Sequence, residues 1–188
     1  DQIIIDAFSK LKEDLPKLKL ILVPRHPERA DSILKILNRK KINSRITSKV
    51  SYLKDADVVV INTTGQLNSL YKIANITFIG GSLISKYGGH NIIEAAANKC
   101  AFIVGPYMKN FEDILNLFKA KNACIQLLNS NDLSQSFREL LNNNELRINM
   151  IDNAIEVVAE NRGSSEKQFN NISKLVNYEI SNSNNKTI

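Results

Sequence analysis

The sequence predicts an α/β domain built on a doubly wound parallel sheet. Three observations predict it. Short apolar runs alternate with stretches of helical periodicity. The run Asp57-Val58-Val59-Val60-Ile61 is nearly all β-branched, as a strand buried on both faces requires. Turn residues close four of the runs: Pro24, Asn62 to Gly65, Gly80-Gly81 and Gly105-Pro106.

Ile3 to Leu15 reads as an opening helix with no strand before it to complete a βα unit, as in a chain that begins in the middle of something larger. Leu18 to Val23 is an apolar run stopped by Pro24, hence a strand. Glu28 to Lys40 follows with Ile33, Leu34, Ile36 and Leu37 at helical spacing, and Pro27 suits a first turn. Ser44 to Thr47 is a short strand, and Asp57 to Ile61 the next. Gln66 to Ala74 places Leu67, Leu70 and Tyr71 on one helical side. Ile76 to Ile79 is a strand, Asn91 to Lys99 an alanine-rich helix, Ala101 to Val104 a strand, Asn110 to Lys121 a helix and Cys124 to Leu128 the last strand. Beyond Asp132 the strands stop. Asp132 to Leu141, Glu145 to Glu160 and Glu166 to Ile180 read as helices, broken at Asn142-Asn143-Asn144 and Arg162 to Ser165. Residues 1–180 are expected to form the domain and Ser181 to Ile188, polar and asparagine-rich, a frayed tail.

The composition excludes several classes. With 188 residues, 43% hydrophobic and 23% charged, the chain is neither disordered nor too small for a core. No apolar run approaches the roughly 20 residues that a membrane-spanning helix needs. The start, Asp1-Gln2-Ile3, carries no basic region and cleavage site, so no secretory signal is expected. Cys100 and Cys124 lack zinc-ligand spacing and read as buried thiols of a reducing compartment. The net charge of +6 invites nucleic acid or an anionic membrane. The basic residues are scattered, however, and no aromatic-rich strand accompanies them, so nucleic acid is not expected.

In open α/β sheets, ligands bind beyond the carboxyl ends of the strands. There lie Pro24-Arg25-His26-Pro27-Glu28-Arg29, then Asn62-Thr63-Thr64-Gly65-Gln66, then Gly80-Gly81-Ser82, Gly88-Gly89-His90-Asn91-Ile92-Ile93-Glu94 and Gly105-Pro106-Tyr107. Four of the seven glycines fall between Gly80 and Gly89, where the backbone can approach a ligand. Gly88-Gly89 leads directly into a helix whose amino end favours a phosphate, and Asn91 sits at or near its cap. Glu94, on the same face as His90 and Asn91, can accept hydrogen bonds from ribose hydroxyls. Arg25 can clamp a phosphate in bidentate fashion. Each feature also has a plain structural reading. Gly80-Gly81 can be a tight turn, His26 and His90 loop or cap residues, Glu94 a dipole partner, and Arg29 half of an ion pair on its own helix. There is no G-x-G-x-x-G, no P-loop, no metal-ligand cluster and no carboxylate pair or catalytic triad. The residues alone describe a nucleotide half-site without a catalytic base.

These motifs carry a resemblance. P-R-H-P-E-R at Pro24 to Arg29, N-T-T-G-Q-L at Asn62 to Leu67, G-G-S-L at Gly80 to Leu83, G-G-H-N-I-I-E at Gly88 to Glu94, and Gly105-Pro106 before Asn110-Phe111 stand in one order. From about Leu18 to Leu127 the chain resembles the C-terminal half of the Kdo (3-deoxy-D-manno-octulosonic acid) transferases. The resemblance implies the Rossmann-like C-terminal domain of a GT-B glycosyltransferase. Its donor is CMP-Kdo and its acceptor, a lipid A precursor, is held by an N-terminal domain that also supplies the base. Neither a metal nor another cofactor is implied. Carried over, Arg25 and Asn91 hold the phosphate with help from the helix near Gly89. Glu94 holds the ribose, Thr64 and Gly65 lie near the nucleotide, and Gly81 and Ser82 line the cleft floor, with Pro24 and His90 in the same motifs.

Two departures stand out. The family's D-T-x-G-E-L has amides here, Asn62 and Gln66, and the position of Tyr107 is usually histidine. The expected function is the donor-binding half of a Kdo transferase of lipopolysaccharide biosynthesis, inactive without its N-terminal domain. The intact enzyme is expected at the cytoplasmic face of the inner membrane, in contact with anionic lipid, and this chain is expected to be soluble. Ile172, Leu175 and Val176 would then face the missing domain. The alternatives are another GT-B enzyme using a different nucleotide sugar, or a non-catalytic remnant that binds a partner.

Overall fold

A computed structural model describes residues 1–48 and 54–161. The expected helix Glu166 to Ile180, the apolar face on it, the break at Arg162 to Ser165 and the tail lie outside the described residues.

The described elements are α1 (Gln2–Asp14), β1 (Leu20–Leu22), α2 (Ala30–Arg39), β2 (Ser44–Thr47), β3 (Val58–Ile61), α3 (Leu67–Tyr71), β4 (Ile76–Ile79), α4 (Ile93–Ala97), β5 (Ala101–Val104), α5 (Glu112–Ala120), β6 (Ile125–Gln126) and α6 (Leu133–Asn142). A further helix, α7, occupies 144–161 after a one-residue break at Asn143. All strand pairings are parallel, and the ladder is divided. One sheet runs β1-β3-β2 and the other β4-β5-β6. The α/β expectation holds, with the backbone pairing split between β1 and β4.

The middle strand of each sheet is the most apolar one, and burial explains why. Val58 to Ile61 in β3 and Ala101 to Val104 in β5 are covered on both faces. On one face, Val58 and Val60 meet α1 and α2 through Ile5, Phe8, Ile33 and Leu37. On the same side of the second sheet, Ala101 and Ile103 meet Ala7 of α1 together with Leu133 and Leu140. On the opposite face, Val59 and Ile61 pack on Leu70 of α3, and Phe102 and Val104 on Tyr71, Leu115 and Phe118. Thus α1 and α3 each contribute side chains to both half-sheets, one helix per face.

The carboxyl end of α1 is tied down where the strands begin. Lys12 donates to the carbonyls of Pro16 and Leu18 and to Asp57 Oδ1 at 2.8 Å, and Lys19 reaches the same carboxylate at 3.3 Å. The Lys12 hydrogen bond, with that of Lys19, holds the Asp57 carboxyl below its ordinary range. At its other end Asp1 pairs with Arg29. Arg29 therefore bridges two elements instead of pairing along its own helix. The reason is geometric: α1 begins at the sheet edge where the chain leaves β1.

Both cysteines are free and buried, and burial pushes each thiol up to about 12. Among the described residues, no helix is long and apolar enough to cross a membrane.

The second core rests on Phe102 and Phe118, both fully buried, with ring centroids 5.3 Å apart edge to face. Replacing Phe118 with Ala is expected to cost about 3–5 kcal/mol in denaturant unfolding. A loss under about 1 kcal/mol would show that the ring is not central to that core.

Candidate functional site

The carboxyl ends of β1 and β4 bring distant residues together. Arg25 follows β1 and His90 follows the loop after β4, yet Arg25 Nη1 lies 3.4 Å from His90 Nδ1. For that hydrogen bond Nδ1 must accept, so the ring is neutral on that atom. Burial, and secondarily the Arg25 guanidinium, lower the His90 pKa from its ordinary value. Arg25 itself is exposed, with its remaining donors open to solvent.

His90 lies over the Gly80-Gly81 turn. Gly81 has φ 73°, and a Cβ there would stand 3.0 Å from the ring's Cε1 and Nε2. The turn thus needs glycine twice over, for its left-handed backbone and for the imidazole above it. The Gly81 carbonyl accepts from the Gly89 amide at 3.0 Å, which closes the loop on itself. Gly88 and Gly89 are buried, with φ of 65° and 83°. Gly88 is pressed against Asn110, whose side chain donates to the Tyr87 carbonyl at 3.1 Å. Asn110 is therefore a clamp on the glycine loop, joined to it across 22 residues.

The sequence predicts that the glycine pair leads directly into the helix, and the structure corrects this. His90, Asn91 and Ile92 intervene, and α4 covers only Ile93–Ala97. The Asn91 side chain sets that start, since its Oδ1 accepts from the Ile93 amide at 3.0 Å. A helix of five residues aligns few peptide dipoles, so α4 adds less to phosphate binding than expected. The Asn91 Nδ2 group, 3.5 Å from Glu94 Oε1, remains a donor at the rim. Glu94 is exposed and one turn along. Behind it, burial and then the nearby Glu94 charge push Tyr71 up to about 12.

Ser82 belongs to the scaffold. It is 0% exposed; its hydroxyl donates to the Ile79 carbonyl at 2.6 Å and accepts from the Gly105 amide at 2.8 Å. Its carbonyl accepts from Tyr107, and a Cβ on Gly105 would stand 2.3 Å from that oxygen. Its side chain is fully engaged beneath the cleft floor. Pro24 is half-buried at the end of β1, beside Arg25. Thr64 and Gly65 are exposed at the carboxyl end of β3, and Gly65 stands in open space. The described contacts join Arg25 to His90 and His90 to Gly81, and separately Asn91 to Glu94, while Thr64-Gly65 stands apart on the same rim.

The Gln66 amide donates to the Ser48 carbonyl at 2.6 Å and to the Thr63 hydroxyl at 2.8 Å. The first bond is one that a carboxylate in its place cannot donate. His26 lies near Glu28 on the surface, away from this cluster. Among the described residues no group of His, Cys, Asp or Glu can hold a metal ion.

A family model described as "Glycosyl transferases group 1" matches residues 2–157. The chain belongs to the glycosyl transferases group 1. Within this family it is 38% identical over 168 residues to the 3-deoxy-D-manno-octulosonic acid transferase of Rickettsia typhi, covering 86% of this chain and 35% of that protein. The transferase of the same name from Haemophilus influenzae is 33% identical over 170 residues, 89% of this chain and 39% of that protein. The chain thus spans somewhat over a third of the length of the relatives it matches. Its structure superposes on the C-terminal CMP-Kdo binding domain of WaaA from Acinetobacter baumannii with a TM-score of 0.78 and 28% identity, covering 84% and 82% of the two chains. A C-terminal domain of a glycosyl transferase group 1 protein, LpcC from Francisella tularensis, shares the fold at a TM-score of 0.57 and 18% identity. The Rossmann-like C-terminal domain of a GT-B glycosyltransferase is therefore the fold of this group 1 chain.

Two outcomes follow from the site. Ser82→Ala leaves the buried Gly105 amide without its acceptor and is expected to cost about 1–3 kcal/mol in denaturant unfolding. Followed by NMR, His90 is expected to titrate below 6.5, and Arg25→Gln to raise its midpoint while leaving it under that value, because burial is the larger cause. A depressed histidine pKa means that the unfolded chain binds the proton more readily. His90's contribution to stability is therefore complete above about 6.5 and is lost as pH falls below it.

Proposed function

We propose that this domain binds CMP-Kdo as the donor half of a Kdo transferase. One observation carries the reading: Arg25 meets His90 over the Gly81 turn, with Asn91 the next residue in the chain, in a chain similar to a CMP-Kdo binding domain. Arg25 meets the phosphate with a guanidinium and Asn91 with the amide hydrogen that it does not give to Glu94. Glu94 accepts from the ribose hydroxyls, and His90 backs Arg25 while staying neutral. The reaction is attack by an acceptor sugar hydroxyl on the anomeric carbon of Kdo, with CMP leaving and the configuration inverted. Arg25 offsets the charge that grows on the departing phosphate. Thr64 and Gly65 close the rim on the β3 side.

The acceptor in this reading is a lipid A precursor, held by an N-terminal domain that also brings the general base. The intact enzyme works at the cytoplasmic face of the inner membrane. The excess positive charge of this half suits both the anionic donor and an acidic lipid surface.

Calorimetry with CMP and UDP is the direct check. CMP is expected to bind more tightly than UDP. Arg25→Ala and Glu94→Ala are each expected to weaken CMP binding by about ten-fold, in line with about 1.4 kcal/mol for a charged hydrogen bond. Preference for UDP would point to another nucleotide sugar, and no affinity for either would leave a partner-binding role. The chain alone is expected to transfer no Kdo to a lipid A precursor; turnover by it would displace the base from the N-terminal domain.

A further inference from the structure

The turn after β3 has little packing of its own. Thr64 and Gly65 are exposed, and Gly65 stands in open space with φ 80°. At its start the Asn62 amide reaches the Thr47 carbonyl of β2 at 3.3 Å. At its end stands Gln66. Its carbonyl accepts from the Ser69 and Leu70 amides at 3.1 Å and so starts α3.

The Gln66 side chain reaches back over the turn. Its Nε2 donates to the Thr63 hydroxyl at 2.8 Å and to the Ser48 carbonyl at 2.6 Å, just past the end of β2. A carbonyl can only accept, so the Ser48 contact fixes which end of the amide points there. The side chain thus spans Thr63, Thr64 and Gly65 and fastens them to the neighbouring strand. The far side of α3 continues the line. Asn98, at the end of α4, donates to Asn68 Oδ1 at 3.2 Å and to the Glu94 carbonyl at 2.8 Å. The end of β2, the turn, α3 and α4 form one connected series, and that series reaches Glu94.

We infer that Gln66 is a positioning residue for the nucleotide: through its bond to Ser48 it fixes Thr64 and Gly65 on the donor rim. The inference rests on the reading that this rim binds CMP. Gln66 acts through the turn and not by touching the ligand. A turn already fastened has less freedom to lose when a ligand settles on it, and affinity rises accordingly.

Calorimetry with CMP on the full chain tests it. Each variant is compared with the unaltered chain at the same pH, so that the titrations of His90 and of the CMP phosphate cancel. Gln66→Met keeps the length and loses both donors, and is expected to weaken CMP binding about three- to ten-fold at every pH. Gln66→Glu is expected to weaken it as much at about pH 8, where a carboxylate faces the Ser48 carbonyl with nothing to donate. As pH falls toward about 4.3, the ordinary glutamate value, the acid regains a donor and the deficit is expected to close. It closes from above that value, because the neutral form is the one that can bond Ser48. A residue that only supports the fold would lower Tm and leave the affinity of the folded chain unchanged. Full CMP affinity in both variants, beside binding by the unaltered chain, would overturn the inference and leave the donor reading intact. So would a Gln66→Glu deficit that persists at low pH beside full affinity in Gln66→Met, since the cause would then not be the lost bond. Absence of CMP binding by the unaltered chain would fail the donor reading itself, and the inference with it.

Discussion

The close approach of two strand ends, β4 and β5, underlies everything at the rim. The Ser82 hydroxyl stands between the Ile79 carbonyl and the Gly105 amide and satisfies both in a place that water does not reach. Buried backbone groups must find partners, and here one side chain supplies two. The bond draws Gly105 so near to Ser82 that no side chain fits between them. From this fixed corner the Gly80-Gly81 turn rises, His90 lies over the turn, and Arg25 is met from β1. The ligand-facing groups are therefore held by scaffold bonds beneath them that no ligand touches.

Much of the fold was legible in sequence because burial leaves a compositional trace. β3 and β5 are apolar at every position, since both faces of a central parallel strand are covered. The α2 spacing of Ala30, Ile33 and Leu37 is likewise a record of one buried face. Less legible were places where a local rule yields to tertiary context. Lys41, Lys99 and Asn122 follow helices α2, α4 and α5 in the left-handed conformation, where glycine is the usual signal. The start of α4 was misplaced for a similar reason. Two left-handed glycines and the Asn91 side chain delay the helix to Ile93.

At the site, residue types could be read but not their division of labour. Arg25 and His90 are 65 positions apart, and only the fold shows that they touch. Ser82 looks like its glycine neighbours in sequence, a small residue at a strand end. That its hydroxyl is spent on the scaffold depends on Gly105, which arrives from another strand. Gln66 shows the reverse: an amide in place of an acid has its own acceptor in Ser48, so the change is accommodated locally.

The divided sheet has a further consequence, for cooperativity. A continuous ladder passes strain from strand to strand through hydrogen bonds. Here the described residues couple the halves through side chains, by Phe8 and Ala7 of α1 on one face and by Leu70 and Tyr71 of the five-residue α3 on the other. Such packing is weaker in shear than a ladder, so each half-sheet has the makings of its own foldon. Whether the domain melts as one unit then hangs chiefly on these two helices, and a local opening of α1 would leave the halves joined only by α3 and by the Arg25–His90 contact among the described residues.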